Sequence, residues 1–187
     1  MIRCAITDGT GSLGNVERWL ADGVELIQIR EKQMSARQLA EFVRHAAGFA
    51  NPHGSKLLVN DRADIAITCG AHGVHLRDNS VRPARLRSIL PTGFLITVAC
   101  HDSARLALAT GADYALVAPV FKPLSKDDDR EPLGLAGLAK FRGLPVLALG
   151  GVTWDNAQAC LGAGAVGIAG ITLFGGQHSR VGRNSGS

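Results

Sequence analysis

Eight short apolar runs punctuate the chain, at residues 3–7, 25–30, 56–60, 73–76, 95–101, 114–120, 145–149 and 167–171. Several are apolar throughout, the pattern of parallel strands buried on both faces. Between most of them the apolar spacing turns helical. Residues 36–50 place Leu39, Phe42, Val43 and Ala46 on one face, with Ser35 as N-cap. Shorter helices are predicted over 61–68, 83–90, 104–110 and 156–161. Proline opens the second of these, Asp102 or Ser103 caps the third, and Thr153 or Asp155 the fourth. Glycine-led handovers from helix to strand recur at Gly23, Gly73, Gly111 and Gly164, as one repeating unit would give. Strict alternation with eight strands predicts an α/β (β/α)8 TIM barrel, with a flavodoxin-like sheet as the alternative.

The end of the chain departs from that plan. After Phe174 only Val181 is apolar, so no amphipathic helix is available there. The expectation is a single barrel domain over residues 1–175 lacking its last helix, then a disordered tail over 176–187. A second copy of the chain is expected to cover the exposed wall, giving a homodimer.

The net charge of +4 is modest and the cations are scattered without interleaved aromatics, which argues against nucleic acid. No apolar run reaches the roughly 18 residues needed to span a bilayer. Cys4, Cys69, Cys100 and Cys160 form no CxxC pair or ligand cluster and read as reduced thiols, so a cytoplasmic location is expected.

Candidate chemistry gathers where strands end. Gln28, Arg30 and Lys32 alternate at the end of the second run, which puts two cations and an amide on one face. That is a poor packing surface and a good anion site. Asn60 and Asp61 end the third run. They either cap the following helix or supply an amide to phosphate and a carboxylate to Mg²⁺. Gly150-Gly151 and Thr172 follow the last two strands, where barrels often bind phosphate through backbone N–H groups. A long polar excursion from Lys122 to Gly134 carries Ser125 and Lys126 and reads as a lid. His101 ends the fifth run facing the site, and His75 reads as a core histidine.

Taken in order, these landmarks resemble the thiamine phosphate synthase and thiazole tautomerase superfamily. The matching motifs are Q-x-R-x-K at Gln28 to Lys32, N-D-R-x-D at Asn60 to Asp64 and G-V-H-L at Gly73 to Leu76. They continue with G-A-D-Y at Gly111 to Tyr114, P-x-F at Pro119 to Phe121, the loop lysine Lys126 and P-L-G at Pro132 to Gly134. Last come A-x-G-G-V-x-x-x-N-A at Ala148 to Ala157 and A-G-A-x-G at Ala163 to Gly167. The resemblance implies an enzyme that joins hydroxymethylpyrimidine diphosphate to thiazole phosphate and releases diphosphate. It implies Arg30, Lys32, Lys126 and His101 as catalytic groups, and Gln28, Asn60, Ser125, Gly150, Gly151 and Thr172 as substrate contacts. It also implies Mg²⁺ on Asp61, with Asp78 as the candidate to reach in as second ligand.

The departures fall on the metal and on the fifth strand. The family follows its G-V-H-L with G-Q-[DE]-D, whose last aspartate is a metal ligand; here Arg77-Asp78-Asn79-Ser80 stands there. The fifth strand ends Ala99-Cys100-His101 and lacks the family's serine. Three other readings stay open: the tautomerase branch with His101 as acid–base group, a non-catalytic binder of phosphorylated ligands, and a different phosphate-handling barrel enzyme.

Overall fold

Eight parallel strands, each paired with the next in sequence and the last with the first, close into a barrel. The computed structural model describes residues 1–122 and 130–175. Seven helices alternate with the strands among these residues. The order is β1 (Ile2–Ile6), α1 (Leu13–Ala21), β2 (Leu26–Ile29), α2 (Ala36–Ala47), β3 (Lys56–Asn60), α3 (Ala63–Thr68), β4 (Gly73–Leu76) and α4 (Pro83–Arg87). It continues with β5 (Leu95–Cys100), α5 (Ser103–Ala107), β6 (Tyr114–Val117), α6 (Gly134–Leu138), β7 (Val146–Ala148), α7 (Trp154–Gly162) and β8 (Gly167–Gly170).

The continuous apolar runs have a simple cause. Cys4, Ile6, Leu26, Leu58, Leu116, Leu147 and Ala169 fill the barrel interior. Their chain neighbours, such as Ala5, Ile27, Leu57 and Val59, pack outward against Val16, Leu20, Phe42 and Val43 of the helices. Both faces of each strand are therefore buried, and alternation disappears from the sequence.

Helix starts follow side-chain capping. Ser35 and Gln38 form a reciprocal capping box at α2, Asp102 caps α5, and Thr153 with Asn156 caps α7. Two helices lack a counterpart in the sequence reading. Helix α1 is capped by Ser12 and buries Val16, Trp19 and Leu20. Helix α6 has glycine at two of its five positions. The sixth strand, expected to reach residue 120, ends its regular ladder at Val117, next to a cis Ala118–Pro119 bond. Pairing with the β7 side resumes where the Val120 and Phe121 N–H groups donate to the carbonyls of Leu149 and Gly150, each at 2.9 Å.

Past β8, Phe174 docks back on the barrel. Its carbonyl accepts from Trp19 Nε1 and Arg18 Nη2, each at 3.0 Å, and its ring packs edge-on against Trp154. The expected tail over 176–187 and the absent eighth helix lie outside the described residues. Among the described residues no helix is long and apolar enough to cross a membrane.

Candidate active site

A layer of polar side chains sits inside the barrel towards the carboxyl ends of β2 to β5. Gln28 is only 2% exposed, and its Nε2 donates to Asn60 Oδ1 at 3.2 Å. His75 Nδ1 lies 2.9 Å from Thr97 Oγ1 on the adjacent strand. Burial is the largest of the effects that push His75 down to about 4; the Arg30 charge adds to it and Asp61 opposes it. His75 is therefore neutral at physiological pH, in keeping with its reading as a core histidine. Thr97 went unnoticed in the sequence, although a buried hydroxyl in an apolar strand calls for a partner.

Arg30 is the first residue past the β2 ladder. Its backbone N–H donates to Thr7 Oγ1 at 2.8 Å, which ties the ends of β1 and β2 together. The side chain is half-buried, and burial lowers its pKa. Among the described residues neither Arg30 nor Lys32 is ion-paired; Glu31 instead accepts from the Gly11 N–H, and Asp8 from Thr10. Lys32 lies in the turn beyond the strand, so strand alternation does not place it. It lines an open recess with Asn60, Asp61, Arg62 and Arg77.

Asp61 does not cap the next helix. Arg62 is the N-cap of α3 and makes no side-chain capping bond. Asp61 adopts the left-handed conformation at φ 59°, its N–H donating to the His75 carbonyl at 2.7 Å. Its Oδ2 accepts from Arg77 Nε at 2.9 Å and also from Arg77 Nη2, and its Oδ1 accepts from the Ser80 hydroxyl. Asp78 turns elsewhere: its Oδ2 lies 3.3 Å from His101 Nε2, and its buried Oδ1 has no partner among the described residues. Asp61 therefore offers Mg²⁺ no free oxygen, and Asp78 Oδ1 is the one oxygen of the two carboxylates without a partner among the described residues. A hard dication needs free oxygen ligands. The oxygens of Asp61 are engaged by a guanidinium and a hydroxyl.

His101 Nδ1 lies 2.5 Å from the Ala118 carbonyl and 2.5 Å from Arg130 Nη1, so with Asp78 it bridges the ends of β4, β5 and β6. Cys100 beside it is buried on the outer face, and burial heads the causes that push its thiol up to about 11. It is no nucleophile for His101. Gly150 and Gly151 hold φ 85° and 62° after β7. A Cβ on Gly150 would lie 2.7 Å from Pro119 Cα, and one on Gly151 2.5 Å from the Lys122 carbonyl. The pair thus lets the β7 and β6 loops close together. Thr172 is exposed in the turn after β8. Ser125 and Lys126 lie outside the described residues.

A family model described as thiamine monophosphate synthase matches residues 3–174. The chain belongs to the thiamine monophosphate synthase family. It is 42% identical over 171 residues to a putative thiamine-phosphate synthase of Geobacter sulfurreducens, covering 89% of this chain and 80% of that one. It is 37% identical to a thiamine-phosphate synthase of Methanoculleus marisnigri, covering 92% and 86%. A solved thiamine phosphate pyrophosphorylase from Pyrococcus furiosus superposes with a TM-score of 0.81 at 28% identity, covering 94% and 88%. A 3-hexulose-6-phosphate synthase superposes at 0.69 with 18% identity over 95% and 93%, a likeness of fold alone. The family generally uses Mg²⁺.

Proposed function

We propose that this family member is a thiamine-phosphate synthase, joining hydroxymethylpyrimidine diphosphate to thiazole phosphate with release of diphosphate. The observation that carries the reading is Arg30: a half-buried guanidinium at a strand end, without an ion pair among the described residues, whose chain neighbours Ile29 and Glu31 line the recess of Lys32, Asp61, Arg62 and Arg77. Such a group, without a partner among the described residues, suits an anionic ligand.

The bond that breaks joins the pyrimidine's methylene carbon to a diphosphate oxygen, so negative charge grows on the departing group. Donors fixed in advance where that charge appears stabilise the transition state most. Arg30 supplies a planar fork and Lys32 a point charge. Lys126 and Ser125 join them in this reading. The Gln28–Asn60 pair presents fixed amides at the floor of the site and orients the pyrimidine. The thiazole phosphate is held by the Gly150-Gly151 turn and Thr172, which brings the thiazole nitrogen to the methylene carbon as the new bond forms. The four cysteines, all buried and free, agree with a reducing cytoplasm.

The test is to supply both substrates and follow thiamin phosphate by its oxidised fluorescence. Product that falls away in Arg30→Ala supports the reading; no product from folded wild-type protein overturns it.

The His101–Asp78 pair favours a second reading. A histidine held between a carbonyl and a carboxylate is equipped to move protons. That suits tautomerisation of a thiazole carboxylate phosphate. His101→Ala would then abolish isomerisation, whereas a pure synthase would leave the tautomer untouched.

A further inference from the structure

Arg77, Asp61 and Ser80 form a closed ring of hydrogen bonds at the ends of β3 and β4. The Arg77 side chain holds Asp61 Oδ2, and the Ser80 hydroxyl holds Asp61 Oδ1. Ser80 Oγ accepts in turn from the Arg77 backbone N–H at 3.0 Å, and the Ser80 N–H donates to the Arg77 carbonyl at 3.0 Å. The ring leaves Arg77 Nη1 without a contact among the described residues, on a side chain 57% exposed that lines the recess of Lys32 and Asn60.

Across Arg77-Asp78-Asn79-Ser80 the charges of Arg77 and Asp78 cancel and the other two side chains are neutral. A guanidinium is the side chain whose donor fork matches phosphoryl oxygens.

We propose that the Arg77 guanidinium, anchored on Asp61, stands in for the divalent cation at the diphosphate site, so that this protein binds diphosphate without Mg²⁺. Ser80 completes the anchor by filling the second carboxylate oxygen, which leaves Asp61 no oxygen for a metal. The proposal rests on the recess being the diphosphate site of the function proposed above. Binding can nevertheless be measured apart from turnover.

The experiment is calorimetric titration of inorganic diphosphate into the full chain, in EDTA and in Mg²⁺. Wild-type protein is expected to bind in EDTA with an affinity within about threefold of that in Mg²⁺. Arg77→Gln should weaken binding in EDTA by roughly 10- to 100-fold, the loss of a charge-assisted hydrogen bond. Arg77→Lys, which keeps the charge and loses the fork, should fall between. The double variant Arg77→Gln/Ser80→Asp should recover binding only with Mg²⁺. Wild-type binding that needs Mg²⁺, binding in neither condition, or an unaltered affinity in folded Arg77→Gln overturns the proposal. Diphosphate bound in EDTA without thiamin phosphate formation overturns the synthase reading and leaves this one standing.

Discussion

Gln28 and Asn60 are joined at 3.2 Å across β2 and β3, so the two amides at the floor of the site fix each other's orientation. Gln28 is buried and cannot turn to water instead. Gln28→Ala should therefore cost about 1–3 kcal/mol, the penalty for a buried polar partner left unsatisfied. Turnover should fall by more than the stability loss explains, because Asn60 loses its orientation. Urea unfolding and the thiamin phosphate assay on one preparation check both halves. A variant that loses stability but keeps its turnover would place Gln28 in the core only.

Arg30 should show the opposite balance. Its guanidinium is half-buried without an ion pair among the described residues, an arrangement that costs the fold something. Arg30→Met should melt at the same temperature as wild type or higher. Thiamin phosphate formation should drop about 10²- to 10³-fold, as when one preorganised donor is removed from a charge-developing centre. A variant that melts lower and keeps its rate would make Arg30 a packing residue.

How far these groups could be read from the chain depends on how local their causes are. The strands are legible because burial on both faces writes itself as unbroken apolar runs, and the capped helices because Ser35 and Thr153 sit beside what they cap. Helix α6 is not legible: Gly134 and Gly137 oppose a helix, and contacts far along the chain hold it, such as the Gly134 N–H on the Val120 carbonyl. Arg30 was legible because a cation at the end of an apolar strand needs a reason. The Asp61 partners were not, because Arg77 and Ser80 meet it only once β3 and β4 lie side by side. Ser80 read as a lost ligand, whereas in the fold it donates to the same carboxylate.

His75 makes stability depend on pH. Burial holds its pKa at about 4 against an ordinary 6.5. The unfolded chain therefore binds the proton more readily, and stability rises with pH through that window. The contribution is complete above pH 6.5 and is lost as pH falls towards 4. The loss amounts to about 2 kcal/mol by pH 5, from the linkage relation. His75→Asn keeps an amide for Thr97 and removes the titration. Urea midpoints at pH 7.5 and pH 5 should differ more for wild type than for His75→Asn. Equal differences would mean that carboxylates elsewhere set the acid sensitivity.

Gly151 and Gly143 separate backbone strain from collision. Both hold positive φ, 62° and 93°, where any side chain costs about 1–2 kcal/mol. At Gly143, in the loop between α6 and β7, an added Cβ meets nothing within 4 Å. At Gly151 it would lie 2.5 Å from the Lys122 backbone carbonyl, which has no flexible end to swing aside. Gly143→Ala should therefore lose stability alone. Gly151→Ala should also push the β6 loop from the β7 turn and disturb the proposed thiazole phosphate site. Its kcat/KM for thiazole phosphate should fall about tenfold, the effect of roughly 1.4 kcal/mol in the transition state. Steady-state kinetics of both variants at matched fractions folded make the comparison. If the two lose activity alike, backbone strain accounts for the effect and the turn plays no part in holding the phosphate.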